Sequence, residues 1–152
     1  MKFAIVIPAR KGSRSIKNKN LIKLKNKPLI QYTFDQIKKI NCLKFILSDS
    51  EKIKSIAKKN KINADYIRPK STSLSITSMD KTIFHFAKWS IDKFNIDYVI
   101  ILQPTSPLRS ESDIRKSMNI MKSNRYKSLF SVSESLEHPY ESVHINDKKK
   151  SW

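Results

Sequence analysis

Glycine occurs once in the 152 residues, at Gly12, and cysteine once, at Cys42. A single glycine excludes collagen-like and Gly-rich low-complexity chains. It also excludes the G-x-G-x-x-G and Walker phosphate-binding patterns, which need at least two. A single cysteine excludes an internal disulfide and any Cys-based zinc site. Acidic residues are scarce, 13 against 31 Lys and Arg, for a formal net charge of +18. No apolar run approaches the ~18 residues of a membrane span. The opening run 3–7 is too short for a signal peptide and leads straight into Arg10, Lys11 and Arg14. A cytoplasmic protein with no membrane partner is expected. The length suits one domain, residues 1–152, and 39% hydrophobic residues suffice for a core.

What is present is unevenly spread. Residues 1–70 hold 19 basic and 4 acidic residues, against 12 and 9 in the remainder. Pro8 to Lys27 holds eight basic residues and no acidic one. Such a field attracts polyanions: nucleic acid, an anionic surface or a phosphorylated ligand. Lys38, Lys39, Lys52, Lys54, Lys58, Lys59 and Lys61 fit exposed helix faces that Lys merely solvates. Arg10, Arg14 and Lys19 stand where a phosphate-binding turn needs cations.

The pattern alternates strands and helices. Apolar runs predict strands at 3–7, 43–47, 64–67, 98–102 and 128–132. Residues 8–26 read as a long basic loop. Pro28 suits the start of a helix through Leu29, Tyr32, Thr33, Gln36 and Ile37. Ser48 and Glu51 form a capping-box signal for a helix over 50–60. Thr77 to Asp80 cap a helix to about residue 94, with Ile83, Phe84, Ala87 and Ile91 as its apolar face. Ser110 to Asp113 cap another to about residue 123. This order argues an α/β fold, a mostly parallel sheet with helices on both faces. Ligands bind such sheets at the carboxyl ends of the strands, where strand order reverses. The loops after Ile7, Leu47 and Leu102 would gather there.

Two of those loops carry chemistry. The first runs Pro8-Ala9-Arg10-Lys11-Gly12-Ser13-Arg14 and on through Lys19-Asn20. A triphosphate needs backbone N–H groups in a tight turn and cationic side chains. Gly12 permits close backbone approach, Arg grips two phosphate oxygens at once, and Lys19 acts as a point charge. The other loop is Leu102-Gln103-Pro104-Thr105-Ser106-Pro107-Leu108-Arg109. Its prolines stiffen it after a buried strand. Gln103 offers an amide donor and acceptor to a hydroxyl-rich ligand, and Arg109 adds a cation. Thr105 and Ser106 also suit an ordinary turn. His85, beside Phe84, Phe86 and Trp89, is expected to be packed in a helix. Lone histidines without cysteines or paired carboxylates make no metal site, so no metal ligand is assigned.

These motifs bring a family into view. Ile7-Pro8-Ala9-Arg10-Lys11-Gly12-Ser13-Arg14 through Lys19-Asn20 resembles the N-terminal signature of the acylneuraminate cytidylyltransferases, the CMP-sialic acid synthetases. Ser48-Asp49-Ser50, Arg68-Pro69 and Leu102 to Arg109 follow in the family's order, as do Ser131-Val132-Ser133-Glu134 and Glu137-His138-Pro139. The resemblance implies a Rossmann-like nucleotidyltransferase fold. It implies transfer of CMP from CTP to a nonulosonic acid, giving a CMP-sugar and pyrophosphate. By that resemblance Arg10, Gly12, Ser13, Arg14, Lys19 and Asn20 hold the triphosphate. Arg68 and Ser78 lie by the nucleoside, and Gln103 and Arg109 meet the sugar. Arg10 and Lys19 are the catalytic cations, offsetting charge on the leaving pyrophosphate.

The chain departs from the family's pattern. Lys11, Ser15 and Asn18 stand where the family often has glycine; Asn tolerates a left-handed backbone best of the three. The resemblance implies Mg²⁺ and usually a dimer. The family's dimerisation element, Asn-Gly segment and Asp-x-Asp metal pair follow beyond the matched motifs, and no Asp-x-Asp occurs here. The expectation is therefore a domain with its C-terminal part missing and with impaired turnover. Asp49 is the carboxylate nearest the site, and helix capping explains it equally well. Two other readings stand beside this one: a CMP-3-deoxy-manno-octulosonate synthetase, and a basic nucleic-acid-binding module. Against the latter, there is no zinc finger, stacking sheet motif or basic recognition helix.

Overall fold

The computed structural model describes residues 1–11, 16–67, 79–124 and 126–132. Strand β1 (Phe3–Pro8) is the centre of the sheet, and its residues from Phe3 to Ile7 are all buried. After it come a 3₁₀ turn at Lys19–Leu21 and a small antiparallel hairpin, β2 (Lys23–Leu24) and β3 (Lys27–Pro28). Part of the expected loop over 8–26 is therefore regular structure. Lys25 and Asn26, at φ 46° and 67°, make the two-residue turn of that hairpin. Paired positive φ values match the right-handed twist of a hairpin, and Asn accepts them far better than Lys does.

Helix α1 (Leu29–Ile37) leads to β4 (Leu43–Leu47) and α2 (Glu51–Lys59); α3 (Met79–Phe94), β5 (Tyr98–Ile101) and α4 (Glu111–Asn124) complete the order. The three main strands lie β4-β1-β5, and both pairings with β1 are parallel. Pro8 pairs with Leu47, and Val6 with Ile101, so three carboxyl ends stand side by side. On the outer side of β4, Asn63 makes a parallel bridge to Phe45. The chain thus steps outward from β1 on one side and returns to its other side at β5. The order reverses between β1 and β5, which is where open α/β sheets take ligands.

Alternation along β1 feeds two cores. Ile5 and Ile7 meet Ile30, Phe34 and Ile37 of α1, Ile53 and Ala57 of α2 and Ile114 of α4. Ala4 and Val6 face the other way, with Phe45, Leu47, Tyr66, Ile96 and Phe86 of α3. Helices therefore cover both sheet faces, and each fully buried Ile or Phe side chain contributes about 1.5–3 kcal/mol.

Local signals hold the helix ends. Ser50 caps α2 by accepting from Ile53 N–H, while Ser48 Oγ accepts from Ser50 N–H. The cap is thus Ser50 and not Ser48. For α4, Ser110 Oγ accepts from Asp113 N–H and the Asp113 carboxylate accepts from Ser110 N–H, a reciprocal box. The expected caps at Thr77 and Ser78 lie outside the described residues.

Five expectations are corrected. Residues 64–67 form no strand: Asn63 Oδ1 takes the Asp65 N–H at 2.7 Å, an Asx turn that leads the chain away after a single bridge. Residues 128–132 form none either; Phe130 and Val132 are largely exposed. On α3, Ile83 packs against the core as expected and Thr82, Phe86 and Ser90 are buried, whereas Phe84 is 70% exposed and Ile91 51%. His85 is exposed and not packed in the core. Strand β5 is an edge among the described residues, with Ile101 46% exposed, and not a fully covered strand.

Candidate nucleotide site

The chain leaves β1 without breaking from the sheet. Ala9 N–H donates to Leu47 O at 2.9 Å, so the ladder continues one step past the strand. Arg10 and Lys11 follow, both exposed. Lys11 N–H donates to the Asp49 carboxylate. The loop after β4 therefore anchors the loop after β1, and Asp49 is a backbone acceptor and not a helix cap.

The described part of the first loop resumes at Ile16. Asn18 adopts the left-handed conformation at φ 54°, which Asn tolerates better than other residues apart from glycine. From it Lys19–Leu21 winds as a 3₁₀ turn, closed by Leu21 N–H to Asn18 O at 2.8 Å. That turn brings Asn20 back over the start of the loop, where its Nδ2 donates to Arg10 O at 3.4 Å. Lys19 and Asn20 are half-buried. Arg10, Asn20 and, through Asp49, Lys11 are thus held in one neighbourhood. Gly12, Ser13, Arg14, Arg68 and Ser78 lie outside the described residues.

The loop after β5 begins where Leu102 N–H donates to Val6 O at 3.0 Å, directly beside β1. Gln103 follows, exposed, with Pro104 buried beneath it. The Gln103 carbonyl accepts from Ser106 N–H and from Arg109 Nη2, at 3.3 and 3.1 Å. Arg109 Nη1 reaches Gln36 Oε1 at 3.4 Å, and Gln36 Nε2 donates to Pro107 O at 2.9 Å. The described donors of Arg109 are turned toward the protein. Burial draws its guanidinium below the ordinary value, with Asp113 opposing that shift. Gln36 escapes sequence reasoning: it is one polar residue on the half-buried flank of an amphipathic helix, with no motif around it.

Arg10 and Lys19 follow β1, and the exposed Gln103 amide, whose Oε1 accepts from Thr105 Oγ1 at 3.5 Å, follows β5. That combination suits a polyanion placed next to a hydroxyl-bearing group. Among the described residues, no three His, Cys, Asp or Glu side chains are grouped to hold a metal. Asp49 Oδ1 accepts Lys11 N–H, and no group of three such side chains forms around it among the described residues. Cys42 precedes β4 at the opposite, amino edge, and burial pushes its thiol up, away from the nucleophilic thiolate. No described helix is long and apolar enough to cross a membrane.

Comparison with known proteins agrees with this geometry. The family model described as Cytidylyltransferase matches residues 4–151. The CMP-N,N'-diacetyllegionaminic acid synthase of Legionella pneumophila is 33% identical over 137 residues, covering 88% of this chain and 58% of that protein. An N-acylneuraminate cytidylyltransferase of Streptococcus agalactiae is 29% identical over 97% of this chain and 36% of its own length. The pseudaminic acid cytidylyltransferase of Campylobacter jejuni is 29% identical over 100% of this chain and 67% of its own. The chain therefore spans between about a third and two thirds of these curated relatives. Among solved structures, a CMP:2-keto-3-deoxy-manno-octonic acid synthetase complexed with CTP superposes with a TM-score of 0.66 at 21% identity, over 82% of this chain and 49% of that one. A cytidylyltransferase from Leptospira borgpetersenii gives 0.63 at 20% identity, over 82% and 50%. These two likenesses establish the Rossmann-like nucleotidyltransferase fold.

Proposed function

This chain belongs to the cytidylyltransferase family, and we propose that it takes part in transferring CMP from CTP to a nonulosonic acid in the cytoplasm. In this reading residues 1–152 are one incomplete catalytic domain. The anomeric hydroxyl of the sugar acid attacks the α-phosphorus of CTP, and pyrophosphate leaves.

Arg10 and Lys19 offset the charge that develops on the departing pyrophosphate, and Asn20 orients the turn that carries Lys19. Gly12, Ser13 and Arg14 complete the triphosphate cradle, Arg68 and Ser78 flank the nucleoside, and Gln103 meets the sugar hydroxyls. Catalysis here is positioning and charge neutralisation, with no covalent intermediate on the protein. The neutralisation assigned to the described residues comes from these two cations.

One observation carries the reading: the parallel β4-β1-β5 order sets the Arg10 loop and the Gln103 loop side by side at the strand-order reversal. A thermal-shift series with CTP, UTP, GTP and ATP, with and without Mg²⁺, tests it. CTP is expected to raise the melting midpoint most, and Arg10→Ala or Lys19→Ala to abolish that rise. An equal response to all four nucleotides overturns the assignment. Preference for 3-deoxy-manno-octulosonate over nonulosonic acids in product formation would move the acceptor class and leave the nucleotide assignment standing.

A further inference from the structure

Helix α1 touches both loops of the candidate site. Toward its start, Leu29 N–H donates to Ile22 O at 2.9 Å and Tyr32 Oη donates to Leu24 O at 2.7 Å. Lys27 Nζ meets the Asp35 carboxylate at 2.6 Å. These contacts hold the hairpin into which the first loop runs. One residue past Asp35, Gln36 reaches the second loop. Both ends of its amide are used there: Nε2 on Pro107 O, and Oε1 on Arg109 Nη1. Arg109 Nη2 in turn holds the Gln103 carbonyl.

We propose that Gln36 and Arg109 are positioning residues that fasten the Gln103 loop to α1, so that one helix sets the spacing between the nucleotide loop and the acceptor loop. This rests on the reading of Gln103 as the acceptor contact. The physical case is that three bonds converge on a loop of seven residues. The Gln103 carbonyl is held by its own turn through Ser106 and from outside by the guanidinium. The guanidinium is half-buried, and a charged group withdrawn from water is costly to leave without acceptors. Gln36 supplies one acceptor and the Gln103 carbonyl the other. Removing Gln36 therefore loosens the loop twice, at Pro107 and at Arg109. A shift of about 1 Å in an orienting group weakens a reaction that depends on alignment.

The test uses the 152-residue chain with Gln36→Leu, Gln36→Glu, Arg109→Leu and the double Leu variant. Hydrogen exchange at the Ser106 and Arg109 amides is expected to rise on the order of tenfold in Gln36→Leu, with β1 and β4 unchanged. The CTP thermal shift is expected to persist. Affinity for a sialic-type acid in the presence of CTP, followed by saturation-transfer NMR, is expected to fall about tenfold. Gln36→Glu keeps an oxygen for Arg109 and is expected to fall between the wild type and Gln36→Leu; it also serves should Gln36→Leu fail to fold. The double variant is expected to be no worse than the worse single one, because both act through one set of bonds. Unchanged loop exchange in Gln36→Leu, strict additivity, or loss of CTP and acceptor binding in parallel each overturns the proposal. Absence of any CTP shift in the wild type overturns the functional reading alone and leaves the exchange result to be judged by itself.

Discussion

The Asp49 carboxylate accepts the backbone N–H of Lys11 at 2.5 Å, a bond spanning 38 residues of sequence. It ties the loop after β4 to the loop after β1 at the edge where the triphosphate is proposed to sit. A carboxylate on a backbone amide is a charge-assisted bond, stronger than a neutral one. Asp49→Ala is expected to lower stability by about 1 kcal/mol and to reduce the CTP thermal shift; Asp49→Asn, which keeps an oxygen, is expected to restore most of both. Urea denaturation with and without CTP measures the two effects. An undiminished CTP shift in Asp49→Ala would dissociate this tether from nucleotide binding.

Scarcity of glycine has left non-glycine residues in left-handed conformations at Asn18, Lys25, Asn26, Lys61 and Asn95. Lys61 follows α2 at φ 58°, where Ile62 N–H bonds back to Ala57 O at 3.0 Å. A lysine in that conformation pays about 1 kcal/mol against its Cβ. Lys61→Gly is expected to raise stability by roughly 0.5–1 kcal/mol, since relief of that clash exceeds the entropy that glycine adds to the unfolded chain. A lower urea midpoint in the variant would contradict this.

Two neighbouring aromatics on α3 make opposite predictions. Phe86 is fully buried and its ring lies 5.2 to 5.8 Å from those of Phe45, Tyr66 and Trp89. Phe86→Ala is expected to cost about 3–5 kcal/mol. Phe84→Ala is expected to change stability by less than about 0.5 kcal/mol. Equal costs for the pair would show that the buried face of α3 has been assigned to the wrong side.

Acid should weaken the fold through its paired carboxylates. For Asp35, burial acts upward, but hydrogen bonds from Lys27 and Gln31 outweigh it and hold the carboxyl below its usual value. Hydrogen bonds from Ser110 hold Asp113 low as well. A depressed folded value means stabilisation that is present above the unfolded value, near pH 4, and is lost as pH falls through the folded one. Lys27 is raised by its bond to Asp35, so its share is lost only as pH rises past the usual lysine range. Urea midpoints from pH 6 to 2 are expected to fall, less steeply in Asp113→Asn. Identical slopes would remove Asp113 from the account.

Much of this fold is legible in the sequence. The apolar run at 3–7 reads as a strand covered on both faces, and Ser110 to Asp113 read as a helix cap, which the structure makes reciprocal. Phe84 and Ile91 depart from the expected face of α3 because its buried stripe carries Thr82 and Ser90, which apolar periodicity counts as solvent-facing. Ser90 escapes the cost of burial by donating to Ala87 O at 2.8 Å within its own helix. The strand expected at 64–67 failed on an Asx turn, a side-chain bond that β-propensity does not contain. At the site, the cations and Gln103 were visible as residue types in a motif. The tether at Gln36 was not, because it depends on two elements 71 residues apart meeting across a loop.

Central β1 is synthesised before both of its partners, β4 and β5. Ala4 pairs with Val99, and Lys2 N–H with Asp97, 95 residues later. At a synthesis rate of about 5–20 residues per second, the basic segment is made roughly 5 to 20 seconds before the strand that closes the sheet beside it. Through that interval the eight cations between Pro8 and Lys27 lack the β5 edge beside which the finished sheet holds their loop.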